Sequence, residues 1–150
     1  MKNPAIINIL GTQAADGEKE KIEFITDGSF AIRKNKLFIY YNENEASGYE
    51  GFTTTITAEP NNITLSRKGK YTTSLLLSKN ERHLCHYQTD YGDMMLGVNT
   101  SDISLDFNEN GGKLYVNYSL EYNNSTISKN SLSIKIKKVD LKNDQPDTIN

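Results

Sequence analysis

Polar and apolar residues alternate with a period of two along most of this chain. Leu114, Val116, Tyr118, Leu120 and Tyr122 keep strict alternation over nine residues, and Leu132, Ile134 and Ile136 repeat it. That period belongs to β-strands with one buried face. The same pattern predicts strands over 5–13, 21–27, 30–34, 37–42, 52–59, 63–67, 103–107, 114–122 and 131–138, and a hairpin within 81–100. Turn residues separate them: Asp16-Gly17, Gly28, Asn35-Lys36, Pro60-Asn61-Asn62, Lys79-Asn80, Asn110-Gly111-Gly112 and Asn123-Asn124. Around Gly69, a three-residue loop with the glycine left-handed puts Ile63 and Leu65 on one face with Thr73, Leu75 and Leu77.

The hairpin holds both histidines and the only cysteine. A two-residue loop at Tyr91-Gly92 sets Tyr87 opposite Leu96 and Cys85 opposite Val98. One face then carries His83, Cys85, Tyr87, Thr89, Met94, Leu96 and Val98, and the other Leu84, His86, Gln88, Met95 and Gly97. The first face is the more apolar on its second strand, so it is assigned to the core.

About ten strands joined by short turns, with no amphipathic helix, predict an all-β antiparallel meander. A meander of that length curls and closes into a barrel, which removes exposed sheet edges. A two-sheet sandwich is the alternative. The length predicts one domain over residues 1–141, with a disordered polar tail at 142–150.

Composition narrows the function classes. The formal charge is −2, with no basic cluster beyond Lys135, Lys137 and Lys138, which argues against nucleic acid as a partner. No apolar run approaches a membrane span or a signal peptide, and the lone Cys85 suits a reducing compartment, so a cytoplasmic location away from membranes is expected.

Three motifs invite chemistry. His83, Cys85 and His86 are too few for a zinc site, and His86 faces away from the other two. His83 and Cys85 lie about 6–7 Å apart along a strand, beyond hydrogen-bond reach for a nucleophilic pair. Glu43, Glu45 and Glu50 read as a solvated loop, with Glu43 extending the parity of Leu37, Ile39 and Tyr41 towards a barrel mouth. An enzyme using Glu43 or Glu50 with His83 is the weakest reading; no catalytic residue, metal or cofactor is assigned. Phenols at core parity need hydrogen-bond partners. Glu43, Arg67, His83, Tyr87, Tyr118 and Tyr122 are therefore expected to line a mouth or cavity that takes a small polar or anionic ligand. The competing expectation is a filled barrel acting as an interaction module, a homodimer through a strand edge or the outer residues Phe38 and Tyr40.

Several ordered motifs carry a resemblance: Gln13, the GEKEKIEFITDG run around Glu23 and Gly28, the E-x-E-x-x-G-x-E-G pattern of Glu43, Glu45, Gly48, Glu50 and Gly51, and the RHxxxYxTxYG run from Arg82. On these the chain resembles the YwiB-like family of uncharacterised β-barrel proteins from about Ile6 to Ile136. The resemblance implies a calycin-like barrel related in shape to lipocalins, and no activity.

Overall fold

The computed structural model describes residues 2–140. Ten strands form one antiparallel sheet: β1 (Asn3–Ala15), β2 (Glu18–Arg33), β3 (Lys36–Asn42), β4 (Thr53–Glu59), β5 (Asn62–Lys68), β6 (Thr72–Ser78), β7 (Arg82–Thr89), β8 (Gly92–Asn108), β9 (Gly111–Tyr122) and β10 (Ser125–Lys138). A single 3-10 turn, Glu45–Ser47, interrupts the strands between β3 and β4. The expected tail at 142–150 lies outside the described residues.

The sheet runs β6-β5-β4-β3-β2-β1-β10-β9-β8-β7. Sequence neighbours pair throughout except β6 and β7, and the circle is drawn together by β1 against β10, with Ile7 opposite Ile136 and Ile9 opposite Ile134. The result is a nearly closed barrel, and the sandwich alternative is set aside. Between β6 and β7 side chains replace the ladder. The Gln88 side chain accepts from the Thr72 N–H at 3.0 Å, the Thr73 hydroxyl donates to the Gln88 carbonyl at 3.3 Å, and the Leu76 N–H donates to Cys85 Sγ at 3.4 Å. His83 Nε2 and Ser78 Oγ are 2.9 Å apart.

Inward positions fill the interior. Ile7, Phe30, Leu37, Ile39, Ile56, Leu77, Val98, Val116 and Ile134 have no measurable exposure. Removing that apolar surface from water is the main term favouring the fold. Strands also turn where the sequence provides for it. Lys34-Asn35, one residue before the expected Asn35-Lys36, and Asn123-Asn124 adopt positive φ at both central positions, as type I′ hairpin loops require.

Four sequence expectations need correction. Gly28 does not end a strand: 21–27 and 30–34 are one element, and its missing Cβ leaves room for Tyr40's carbonyl and the Ile7 side chain. The strands expected at 93–100 and 103–107 are also one element, β8, with a bulge between Thr100 and Asp102. That extra residue shifts the inward parity from Val98 and Thr100 to Ile103, which in sequence looks like a break. Gly69 sits in the expected three-residue loop, with Leu65 opposite Leu75, but not at positive φ; a Cβ there would strike the Phe52 ring. In the β7–β8 hairpin the loop is Asp90-Tyr91, not Tyr91-Gly92, so Tyr87 faces Met94 and Cys85 faces Leu96. The slip is two residues, an even number, and the face assignment survives it. Cys85, Leu96 and Val98 are buried, while Leu84 and Met95 are 60% and 52% exposed.

Candidate functional site

Antiparallel alternation brings the β1–β2, β3–β4, β5–β6, β7–β8 and β9–β10 connections to one end of the barrel, and the interior turns polar there. Going round the wall, Gly28, Tyr41, Thr54, Arg67 and Thr73 stand directly opposite one another on β2 to β6. Thr54 and Thr73 are buried, and Tyr41 is 3% exposed.

Arg67 is the centre of this end. Its Nε donates to Glu43 Oε2 at 3.4 Å, and the Glu43 side chain is only 1% exposed. Glu43 sits just past β3, where its N–H donates to the Phe52 carbonyl at 2.9 Å, and its carboxylate also accepts from the Thr54 hydroxyl. The guanidinium carbon lies 4.2 Å from the centre of the Tyr49 ring. The Tyr49 and Tyr87 hydroxyls are 2.8 Å apart. Burial pulls the Arg67 pKa down, but Glu43 and the surrounding phenols outweigh it, and the net shift is upward. Burial pushes up the phenols of Tyr41, Tyr87 and Tyr118; Glu43 adds to this at Tyr41, and Tyr49 at Tyr87. The phenols therefore remain protonated donors beside a fixed cation.

These groups border a cavity of about 170 Å³. Arg67, Tyr49, Tyr87 and Tyr118 supply polar lining, buried Leu65 and Leu75 with half-buried Ile22 supply apolar lining, and Gln13, Glu20 and Asn130 stand towards the rim. No described residue other than Glu43 accepts a hydrogen bond from the guanidinium. The terminal Nη atoms of this cavity-lining side chain thus have no acceptor among the described residues.

Of the six residues singled out from sequence, Arg67, Tyr87 and Tyr118 line the cavity and Glu43 stands behind Arg67. The other two need correction. Tyr122 has the right parity but is 41% exposed, because β9 continues past the barrel rim into its turn with β10. His83 does point inward, yet it lies towards the opposite end, engaged with Ser78 beside the β6–β7 connection. Glu43 and His83 therefore do not converge, and the carboxylate–imidazole pairing on which the Glu43–His83 reading depends is not formed. His86 faces outward, 3.2 Å from Asp93. Among the described residues no group of three or more His, Cys, Asp or Glu is placed to hold a metal ion. The sequence carries no signal for Tyr49 itself, because it lies in a loop, where parity says nothing; the glutamates and glycines around it mark only the segment.

Comparison with known proteins gives this end of the barrel a family but no chemistry. The chain belongs to the family described as "Domain of unknown function (DUF1934)", whose model matches residues 7–134. It is 22% identical over 120 residues to the "Uncharacterized beta-barrel protein YwiB" of Bacillus subtilis, covering 79% of this chain and 82% of that one. The crystal structure of the ywiB protein from Bacillus subtilis superposes with a TM-score of 0.78 at 18% identity, over 93% of this chain and 94% of the other.

Proposed function

We propose that this protein is a calycin-like binding barrel whose polar end takes a small molecule carrying a single negative charge and a short apolar part. The observation that carries this reading is Arg67: a cation held at the cavity wall by Glu43 on Nε, with its Nη atoms unclaimed. Tyr118 and the Tyr49–Tyr87 pair add neutral donors, a set suited to an acceptor such as a carboxylate. Glu43 already balances the charge of Arg67 and Glu20 stands at the rim, so a doubly charged guest is disfavoured. Leu65, Leu75 and Ile22 suit an apolar remainder. The volume is close to that of an engineered cavity of about 150 Å³ that admits benzene, which limits the guest to roughly ten non-hydrogen atoms. The single buried thiol fits a role in a reducing compartment, in keeping with a cytoplasmic protein.

Native mass spectrometry of the protein purified from its own host tests the reading. The expected result is a small-molecule adduct that disappears in Arg67→Met. An adduct-free spectrum, together with no thermal shift from propionate or benzoate, overturns it.

A second reading, an interaction module, is favoured by a different observation. Leu76, Leu84 and Met95 are 43%, 60% and 52% exposed on the outer faces of β6, β7 and β8, and Tyr91 at the adjoining hairpin tip is fully exposed. These flank the seam, whereas Phe38 and Tyr40 are half-buried and Tyr40 is covered by the Lys2 ammonium at 4.1 Å. Sedimentation analysis that finds a dimer lost in Leu84→Lys would support this reading over the first; a monomer at all concentrations removes it.

A further inference from the structure

We propose that residues 44–51 form a lid over the Arg67 cavity, latched by Tyr49, and that access to the guanidinium requires this lid to swing away. The inference rests on the binding reading above and adds a gate to it.

The segment is built to move as a unit. Its hydrogen bonds are internal: Asn44 Oδ1 accepts from the Ala46 N–H at 2.8 Å, the Ser47 N–H donates to the Asn44 carbonyl at 3.2 Å, and the Gly48 N–H to the Glu45 carbonyl at 3.1 Å. The Phe52 N–H closes the last turn on the Tyr49 carbonyl at 2.9 Å. Among the described residues, the hydroxyl contact from Tyr49 to Tyr87 is the one hydrogen bond that 44–51 make beyond 43–52. Packing adds to the hold: the 3-10 turn lies against β2, and the Tyr49 ring lies over Arg67 and edge-on to the Phe52 ring, 5.7 Å between centroids.

The base, by contrast, is fixed. Glu43 is tied into the barrel by Arg67 and Thr54. Phe52 is buried with its ring 5.1 Å from that of Tyr71, in the space that Gly69 leaves. Gly48 and Gly51 bracket Tyr49 at φ 81° and 93°, and nothing lies within 4 Å of where a Cβ would stand at either. Glycine is the residue that turns most readily through such angles. The spacing of Glu43, Gly48 and Gly51 thus reads as anchor and two pivots. Tyr49 is the moving part, because its ring covers the cation and its hydroxyl sets the latch.

The test follows the rate at which butanedione modifies Arg67 in the full chain, by peptide mass spectrometry, with the exposed Arg33 and Arg82 as internal references. No natural ligand is needed, so the outcome is independent of whether one is found. The expected wild-type rate at Arg67 is at least about tenfold below that at Arg33. Tyr49→Ala should bring it close to the reference. Tyr87→Phe, which keeps the ring but removes the latch, should raise it about threefold to tenfold, the range of one net hydrogen bond. Thermal melts confirm that both variants fold, and Tyr49→Phe serves as a second latch variant if Tyr87→Phe does not. Equal rates at Arg67 and Arg33 in the wild type overturn the lid. So does acceleration by Tyr49→Ala alone, since that describes a fixed plug.

Discussion

On β2 to β5, Phe30, Ile39, Ile56 and Leu65 stand opposite one another as a wholly apolar row. Two residues further along the same four strands the row reads Gly28, Tyr41, Thr54 and Arg67. The backbone is continuous and the spacing the same, yet the two rows obey different rules. In the apolar row each side chain needs only volume and contact, and many aliphatic combinations would satisfy it. Around the polar row groups depend on particular partners: Arg67 and Thr54 on Glu43 just past β3, and nearby Tyr87 on Tyr49. The first row belongs to the core that stabilises the barrel, and the second spends some of that stability to hold a cation against a small open volume.

This contrast can be tested by substitution, beginning where the loss is greatest. Phe30→Ala should cost about 3–5 kcal/mol in urea unfolding, through lost transfer energy and the cavity left behind. A cost under about 2 kcal/mol would mean that the apolar row is not close-packed. Glu43→Ala should cost about 2–3 kcal/mol, because Arg67 loses its partner while remaining largely buried. The paired change Glu43→Gln with Arg67→Met should recover most of that loss, since neither charge is then stranded. If the double variant is no better than the single one, the ion pair is not what links these positions.

The phenols give the next effect. Tyr41, Tyr87 and Tyr118 have raised pKa values in the fold, so above about pH 10 the unfolded chain sheds protons that the barrel retains. Stability is then fully present below that pH. It is lost above it by up to about 1.4 kcal/mol per pH unit for each such group. Tyrosinate absorbance during alkaline unfolding should show these three ionising only as the barrel opens, and early, fully reversible ionisation of all nine tyrosines would contradict it. The smallest effect is expected from Tyr122→Ala, within about 0.5 kcal/mol, since that ring is outside both rows.

Much of this was legible in the sequence for one reason: a strand's parity survives errors that its register does not. The β7–β8 loop lies one residue before its expected place, a register slip of two, yet His83, Cys85 and Tyr87 still face inward and Leu84 outward. Arg67, Tyr87 and Tyr118 were found by the same parity. What parity could not convey was depth. His83 and Tyr87 share a face but stand about 13 Å apart along β7 at the usual rise per residue, so only one reaches the cavity. Tyr122 kept parity beyond the point where there was an interior to face. Two further features were hidden for local reasons. The bulge after Thr100 resets the alternation and imitates a turn, and Tyr49 reaches the site from a loop whose direction no periodic signal encodes.

The seam between β6 and β7 has a topological consequence. There the chain is covalently continuous but the strands are not laddered, while β1 and β10, farthest apart in sequence, are laddered in full. Covalent linkage and strand pairing have exchanged places. A circular permutant with β10 joined to β1 and new ends opened between Ser78 and Arg82 would place all ten strands in simple consecutive order. The most entropically costly closure of the barrel would then become a local hairpin-like step.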